Sequence, residues 1–309
     1  MQFQEFIPLS RYSSFRTGGA ARYFFAPRDE AELRDAVAFW GDRPLFVLGG
    51  GTNVIFHEEG FQGLVLHLAE RRIEVEGDKV IVTAGTEMQE LLTRLADEGL
   101  SGLEWAGGLP GTVGGAVRGN AGAFGGEMKD VVREVRSFDR TSGCERVRSA
   151  DACQFRYRSS IFKHLGSREI ILSVVLQLRK GDPAAIRKAI QEKITYRRMR
   201  HPMEYPNSGS IFKNVPLEQF PSDTRDRFRD VVKHDPFPVV PAAHLIAAAG
   251  LRGVSCGGAM VSPKHPNFIV NVLAAHPEEV RALVALVRAQ VHEQFGVMLE
   301  PEVLFLPPQ

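Results

Sequence analysis

Cysteine is scarce in this chain of 309 residues: the three present, Cys144, Cys153 and Cys256, are scattered and form no CxxC pair. A disulfide framework and a thiolate metal site are thereby excluded, and no metal centre is expected. Long apolar runs are missing as well. No uncharged stretch approaches the ~18 residues of a membrane helix, and the opening MQFQEFIPLSRYSSF lacks the apolar core of a secretory signal. The expectation is a cytoplasmic protein with no membrane partner. Net charge is almost absent too, with 38 Lys and Arg against 37 Asp and Glu. Any basic surface is therefore local, and a general nucleic-acid role has no electrostatic support. A small-molecule partner fits better.

What the chain does have is glycine in one place. Between Gly107 and Glu127, read GGLPGTVGGAVRGNAGAFGGE, glycine occupies positions 107, 108, 111, 114, 115, 119, 122, 125 and 126. Each interior glycine costs about 0.5–1 kcal/mol relative to alanine, so the cluster needs a reason. Close approach of bare backbone to a large planar or phosphorylated cofactor supplies one. A flexible linker does not, because Leu109, Val113, Val117 and Phe124 are interleaved as if packed.

A second glycine turn lies in PLFVLGGGTNVIF. The apolar run Leu45 to Leu48 reads as a buried strand that stops at Gly49, Gly50 and Gly51 before Thr52, Asn53 and Val54. Free backbone N–H groups, a hydroxyl and an amide there are suited to gripping a pyrophosphate. The dinucleotide fingerprint GxGxxG is not present, since the chain runs on through Val54 and Ile55 instead of opening a long helix, and a Rossmann domain is disfavoured.

Elsewhere the pattern mixes helix and strand. Asp29 caps a helix through Trp40, and Thr86 is read as the cap of a helix from Met88 to Glu98. VREVRSFD and EIILSVVLQLR read as strands. Asp182 and Pro183 open a helix with Ile186, Ile190 and Ile194 on one face, ending in the basic cluster Arg197, Arg198, Arg200 and His201. That cluster is either a solvated helix end favoured by the dipole or a phosphate site. Pro277 opens a helix with Val280, Leu283, Val284, Val287, Val291 and Phe295 inward, and LEPEVLFL reads as a closing strand. The fold class is α+β, with soft boundaries near residues 66 and 181.

Three distant segments each offer one reactive group in an apolar setting: Arg158 in FRYRSS, Ser210 in NSGSIFKN and Glu302 in LEPEV. At this point the chain resembles the UDP-N-acetylenolpyruvoylglucosamine reductase family, along nearly its whole length. The resemblance rests on six ordered motifs: SFRTGG (14–19), LGGGTNVI (48–55), GLPGTVGGAVRGNAGAFGGE (108–127), FRYRSSIF (155–162), YPNSGSIFKN (205–214) and LEPEV (299–303).

The resemblance implies a vanillyl-alcohol-oxidase-type FAD-binding fold of two α+β subdomains, residues 1–66 and 67–181, followed by a UDP-sugar-binding α+β domain, 182–309. It implies non-covalent FAD held by Gly49, Gly50, Gly51, Thr52, Asn53 and Val54 and by Gly108, Pro110, Gly111, Gly114, Gly115, Asn120, Ala121 and Gly122. NADPH is the implied reductant and UDP-N-acetylglucosamine enolpyruvate the implied substrate, with hydride going to C3 and a proton to C2. Arg158 is matched to the family's arginine, a cation where carboxylate charge develops. Ser210 is matched to the proton donor and Glu302 to the glutamate that stabilises the enol-like intermediate. Arg198, Lys213 and Asn214 are carried over as contacts to the sugar nucleotide. Strand alternation places Glu300 and Glu302 on one face and does not choose between them.

The chain departs from the family pattern at Met260, at Leu304 and at Gly119-Asn120. The 52 residues from Arg158 to Ser210 leave no room for the tyrosine-bearing loop of the longer subtype, so the shorter subtype is expected, as is a monomer. An FAD oxidase of the wider fold would explain the N-terminal glycines but neither Ser210 nor the LEPEV ending.

Overall fold

The computed structural model describes residues 2–222, 224–234 and 237–306. The chain divides into two compact units, one of residues 1–7, 21–50 and 62–197, the other of residues 8–20, 51–61 and 198–309. This grouping differs from cuts near 66 and 181. The helix Pro183–Arg200 stays with the first unit through Arg197.

The first unit is built on two sheets. One has four strands in the order Gln4–Pro8, Ala20–Phe25, Phe61–His67, Leu45–Leu48, and the last two run parallel. The helix Glu30–Trp40 packs its buried Leu33, Val37 and Trp40 with Leu45, Leu64 and Leu66 into one core. Asp29 caps this helix as the sequence predicts, accepting from the Glu32 N–H at 2.9 Å.

The other sheet has five antiparallel strands in the order Cys144–Ser149, Val132–Asp139, Glu169–Gln177, Lys79–Thr83, Ile73–Glu76. The helices Met88–Asp97 and Val113–Gly119 share its second core, as do Ile186 and Ile190 of the helix Pro183–Arg200. Thr86 does not cap Met88–Asp97. The cap position is Glu87 with no side-chain bond, and the Thr86 hydroxyl pairs with that of Thr83 at 3.0 Å.

The second unit centres on a four-stranded antiparallel sheet ordered Asn207–Ser210, Phe268–Asn271, Ala259–Val261, Ser255–Cys256. The long helix Pro277–Phe295 lies over it. Its start is fixed by Pro277 at the first turn and by a capping box in which the Glu279 carboxylate accepts the His276 N–H at 2.9 Å. Val280, Leu283, Val284, Val287, Val291 and Phe295 are all buried, as their spacing predicts. Gly296 at φ +71 ends it.

The motif SFRTGG docks in this second unit. Thr17 Oγ1 donates to the Ala275 carbonyl at 2.8 Å, Asn271 Nδ2 donates to the Phe15 carbonyl at 3.0 Å, and Phe15 is fully buried. Of the predicted closing strand 299–306, only Leu304–Leu306 is regular strand, parallel to Val54–Phe56. Residues 299–303 are not strand apart from one bridge, Phe212 to Pro301. Simple alternation therefore does not orient Glu300 and Glu302. Among the described residues no helix is long and apolar enough to cross a membrane.

Candidate active site

In the first unit the two glycine segments meet. A Cβ on Gly50 would fall 2.8 Å from Gly111 Cα, and one on Gly49 would fall 2.5 Å from Thr112 Oγ1. Thr112 caps the helix Val113–Gly119, which carries Gly114 and Gly115 in its first turn. Gly49, Gly50, Gly108, Pro110, Gly111, Gly114, Gly115, Asn120, Ala121, Gly122 and Arg158 all belong to this unit, and Gly51, Thr52, Asn53 and Val54 to the other.

The glycines of the 107–127 stretch do not share one cause. A side chain on Gly107 would strike the Ile190 carbonyl oxygen at 2.5 Å, and one on Gly126 would enter the Trp105 ring at 2.3 Å. These two exist for packing between protein segments, which corrects the expectation that cofactor approach explains the whole cluster. Gly119 differs: nothing lies within 4 Å of the position a Cβ would take, and Gly115 meets only Thr112 Oγ1 at 3.6 Å. No protein contact requires glycine at those two helical positions, where it is unfavourable. Bare backbone on an open helix face beside the Gly49-Gly50 turn fits a bulky planar group such as FAD.

Asn120 is fully buried and its carboxamide is committed to protein. Its Oδ1 accepts from the Lys129 N–H at 3.0 Å, and its Nδ2 donates to the Arg156 carbonyl at 3.1 Å and to Glu127 at 3.3 Å. It holds the left-handed end of the helix Val113–Gly119 at φ +43. That makes it a structural clasp on the loop that carries Arg158.

Arg158 sits on left-handed backbone, φ +53, a conformation that costs a side-chain-bearing residue about 1–2 kcal/mol. Strain of this kind concentrates at functional sites. Its Nη1 donates to the Gly122 carbonyl at 2.9 Å. Arg197 is the neighbour: sequence reasoning places it in the basic cluster at the helix end, as a solvated helix end or a phosphate site, but carries Arg198 forward as the contact instead. Its Nε donates to the Gly107 carbonyl at 2.9 Å, and burial, assisted by the positive charge of Arg158, pushes its pKa down to about 10. It remains a cation at neutral pH. The signal was in the sequence: Arg197 continues the inward series Ile186, Ile190, Ile194, whereas Arg198 falls off that face and is exposed.

In the second unit three distant segments converge. The Glu302 N–H donates to the Ile211 carbonyl at 2.7 Å, one residue beyond Ser210. Asn53 Nδ2 donates to the Glu302 carbonyl at 3.1 Å, and the Leu304 N–H donates to the Asn53 carbonyl at 3.1 Å. The turn Thr52–Val54, Ser210 and Glu302 are thereby set on neighbouring backbone. Gly209, at φ +76, forms the irregular step before Ser210, whose cross-strand partner is Phe268.

Lys213 separates the two candidate acids: its Nζ ion-pairs with Glu300, and its N–H donates to the Glu300 carbonyl at 3.0 Å. Glu300 is exposed and Glu302 half-buried. Asn214 accepts the Ala242 N–H on Oδ1 at 3.2 Å, a role in the fold. Arg198 is exposed, and its carbonyl accepts from Lys264 Nζ at 3.0 Å. Met260 lies in the strand Ala259–Val261 opposite Ser255 and Val270, and Leu304 pairs with Val54.

The glycine-lined backbone of the first unit suits FAD, and the match of an FAD-binding domain together with the relatives below makes this chain an FAD-dependent oxidoreductase. The family description "FAD binding domain" matches residues 21–147, and "UDP-N-acetylenolpyruvoylglucosamine reductase, C-terminal domain" matches residues 201–306. The chain is 38% identical over 300 residues to UDP-N-acetylenolpyruvoylglucosamine reductase 2 of Symbiobacterium thermophilum, covering 96% of this chain and 89% of that one. It is 36% identical to the reductase of Caldanaerobacter subterraneus subsp. tengcongensis, covering 96% and 91%. The crystal structure of the Thermus caldophilus reductase superposes with a TM-score of 0.79 at 31% identity, covering 99% of this chain and all of that one. The chain belongs to the UDP-N-acetylenolpyruvoylglucosamine reductase family.

Proposed function

We propose that this protein reduces the enolpyruvyl ether of UDP-N-acetylglucosamine enolpyruvate to UDP-N-acetylmuramate, a step of peptidoglycan precursor synthesis, with NADPH as reductant. When bound, FAD would supply the two-electron chemistry that couples NADPH oxidation to reduction of the enolpyruvyl double bond, with hydride going to C3. Gly49, Gly50, Gly51, Thr52, Asn53 and Val54 would hold its pyrophosphate, and the backbone from Gly108 to Gly122 would line its ring system.

The protein's own residues manage charge and the proton. Addition at C3 pushes electrons onto the substrate carboxylate, and the Arg158 guanidinium binds those oxygens as the charge grows. Ser210 gives its hydroxyl proton to C2. A hydroxyl is a weak acid, so the step depends on its position next to a strongly basic carbon. Glu302 holds the enol-like intermediate, while Glu300, paired with Lys213, serves only to fix that lysine. Lys213, Asn214 and Arg198 contact the sugar nucleotide. Residues 1–66, 67–181 and 182–309 act as two FAD-binding subdomains and a substrate domain, in a cytoplasmic monomer.

The observation that supports this reading most is the bond from the Glu302 N–H to the Ile211 carbonyl, which joins the proton donor's segment to the acid's. The test is anaerobic. NADPH should bleach the flavin absorbance and the enolpyruvyl substrate should restore it. Bleaching without substrate-driven recovery would instead indicate an oxidase of the wider fold.

A further inference from the structure

Within the first unit the strands Gly122–Ala123 and Gly126–Glu127 form a minimal hairpin, Ala123 opposite Gly126. The two residues between them, Phe124 and Gly125, both have positive φ, +53 and +84. Positive φ at both central residues is the signature of a type I′ turn, where Asn-Gly or Gly-Gly is the unstrained filling. A bulky aromatic there is an outlier. Burial does not compensate, since Phe124 is 42% exposed.

What the Phe124 ring touches is the end of the helix Pro183–Arg200. Tyr196 meets it edge-on at 5.2 Å, Lys193 Nζ lies 5.2 Å from its centroid and Arg197 Cζ 5.3 Å. Arg197 is thus held on two sides, by Phe124 and by the Gly107 carbonyl. Its Nη2 is buried with no partner among the described residues, and no described acid pairs with it. Arg158 is anchored at the base of the same hairpin through the Gly122 carbonyl. Like charge kept this close, with one donor nitrogen unsatisfied, is relieved by an arriving anion.

We propose that Phe124 is a positioning residue, whose strained turn holds the Arg197 guanidinium through its ring so that Nη2 binds an anionic oxygen of a substrate. Carboxylate and phosphate oxygens share this chemistry, and they arrive on two molecules, the sugar nucleotide and NADPH. The proposal rests on the reductase reading above. The two fail separately: a wild-type holoenzyme that does not turn over would sink the reductase reading, whereas a wild type that turns over with F124N unaltered would sink this proposal alone.

The experiment compares wild-type holoenzyme with F124N, F124Y, R197A and F124N/R197A. Anaerobic stopped-flow measures flavin reduction against NADPH concentration and flavin reoxidation against substrate concentration, and melting is followed in parallel. F124N supplies the residue the turn prefers. It is expected to hold the wild-type melting temperature while raising the half-saturating concentration about three- to tenfold, the size of one cation–π contact. A rise confined to reoxidation assigns the anion to the sugar nucleotide, and a rise confined to reduction assigns it to NADPH. F124Y should restore wild-type saturation, and F124N should add nothing in the R197A background. Wild-type saturation of F124N in both half-reactions overturns the proposal. So does an F124N effect that persists undiminished in R197A, and this comparison decides even where F124N melts lower.

Discussion

Asn53 and Glu302 stand 249 residues apart, yet Asn53 Nδ2 donates to the Glu302 carbonyl at 3.1 Å, and the Asn53 carbonyl in turn accepts the Leu304 N–H at 3.1 Å. The asparagine of a candidate pyrophosphate turn thus also anchors the segment that presents the candidate acid. Asn53→Ala should therefore act twice. It is expected to lower stability by about 1 kcal/mol, the net worth of one hydrogen bond, and to slow flavin reoxidation by substrate more than reduction by NADPH. Stopped-flow traces of both half-reactions check this. Equal slowing of the two would mean that the tie to Glu302 has no part in the chemistry.

Ser210→Ala isolates the proton. Reduction of the flavin by NADPH is expected to stay near the wild-type rate, while reoxidation by substrate falls about 10²- to 10⁴-fold, the usual contribution of a placed acid. Normal steady-state turnover in this variant would remove Ser210 from the mechanism.

Much of this architecture was legible in the sequence where local and long-range signals agree. The helix Pro277–Phe295 is an example: proline at its start, Glu279 closing its cap, glycine after its end, and an apolar stripe at helical spacing all say the same thing. Glu300 and Glu302 were not separable, because what distinguishes them is Lys213, 87 residues before Glu300, which takes the former as an ion pair. Thr86 misled because a threonine before a helix caps only if its hydroxyl is free to turn back, and here Thr83 engages it. Composition alone cannot tell a glycine that admits another protein segment, as at Gly126, from one that leaves an open face, as at Gly119.

That last distinction makes a prediction. Gly126→Ala would drive a methyl into the Trp105 ring and is expected to cost about 1–3 kcal/mol of stability with or without cofactor, as overpacking does. Gly119→Ala meets no protein atom and replaces glycine by the best helix former. It should leave the apoprotein's melting temperature unchanged or raised while weakening FAD, measured by flavin fluorescence on titration. Undiminished FAD affinity in Gly119→Ala would move the cofactor away from this helix face.

The thiols should separate by environment. Cys144 is exposed, whereas Cys153 is fully buried and burial pushes its pKa up to about 11. At pH 8 a thiol-reactive chromophore is expected to label Cys144 in the native protein and to spare Cys153 until denaturant is added. Mass spectrometry of the labelled peptides reads the outcome, and early labelling of Cys153 would contradict its packing.

His265 gives the fold a pH dependence whose sign can be worked out. Its ring packs on Phe268 at 4.8 Å and on His201 at 5.2 Å, and its Nδ1 has no partner among the described residues. Burial holds its pKa below the ordinary value, with Lys233 and Arg252 adding to the effect against the opposing influence of the residue's own backbone. The imidazole is therefore neutral in the folded protein down to a lower pH than in the unfolded chain, where it titrates near about 6.5. Below that value the unfolded chain binds the extra proton, so stability falls as pH drops from about 6.5 towards the depressed folded value, and is unaffected by His265 above it. His67, also depressed by burial and by Arg71, contributes in the same direction. Calorimetric melting of His265→Gln between about pH 7 and pH 5 should show a shallower loss of melting temperature than the wild type, though not a flat line, since His67 remains. A wild-type slope in that variant would mean that His265 is as easily protonated in the folded protein as in the unfolded chain.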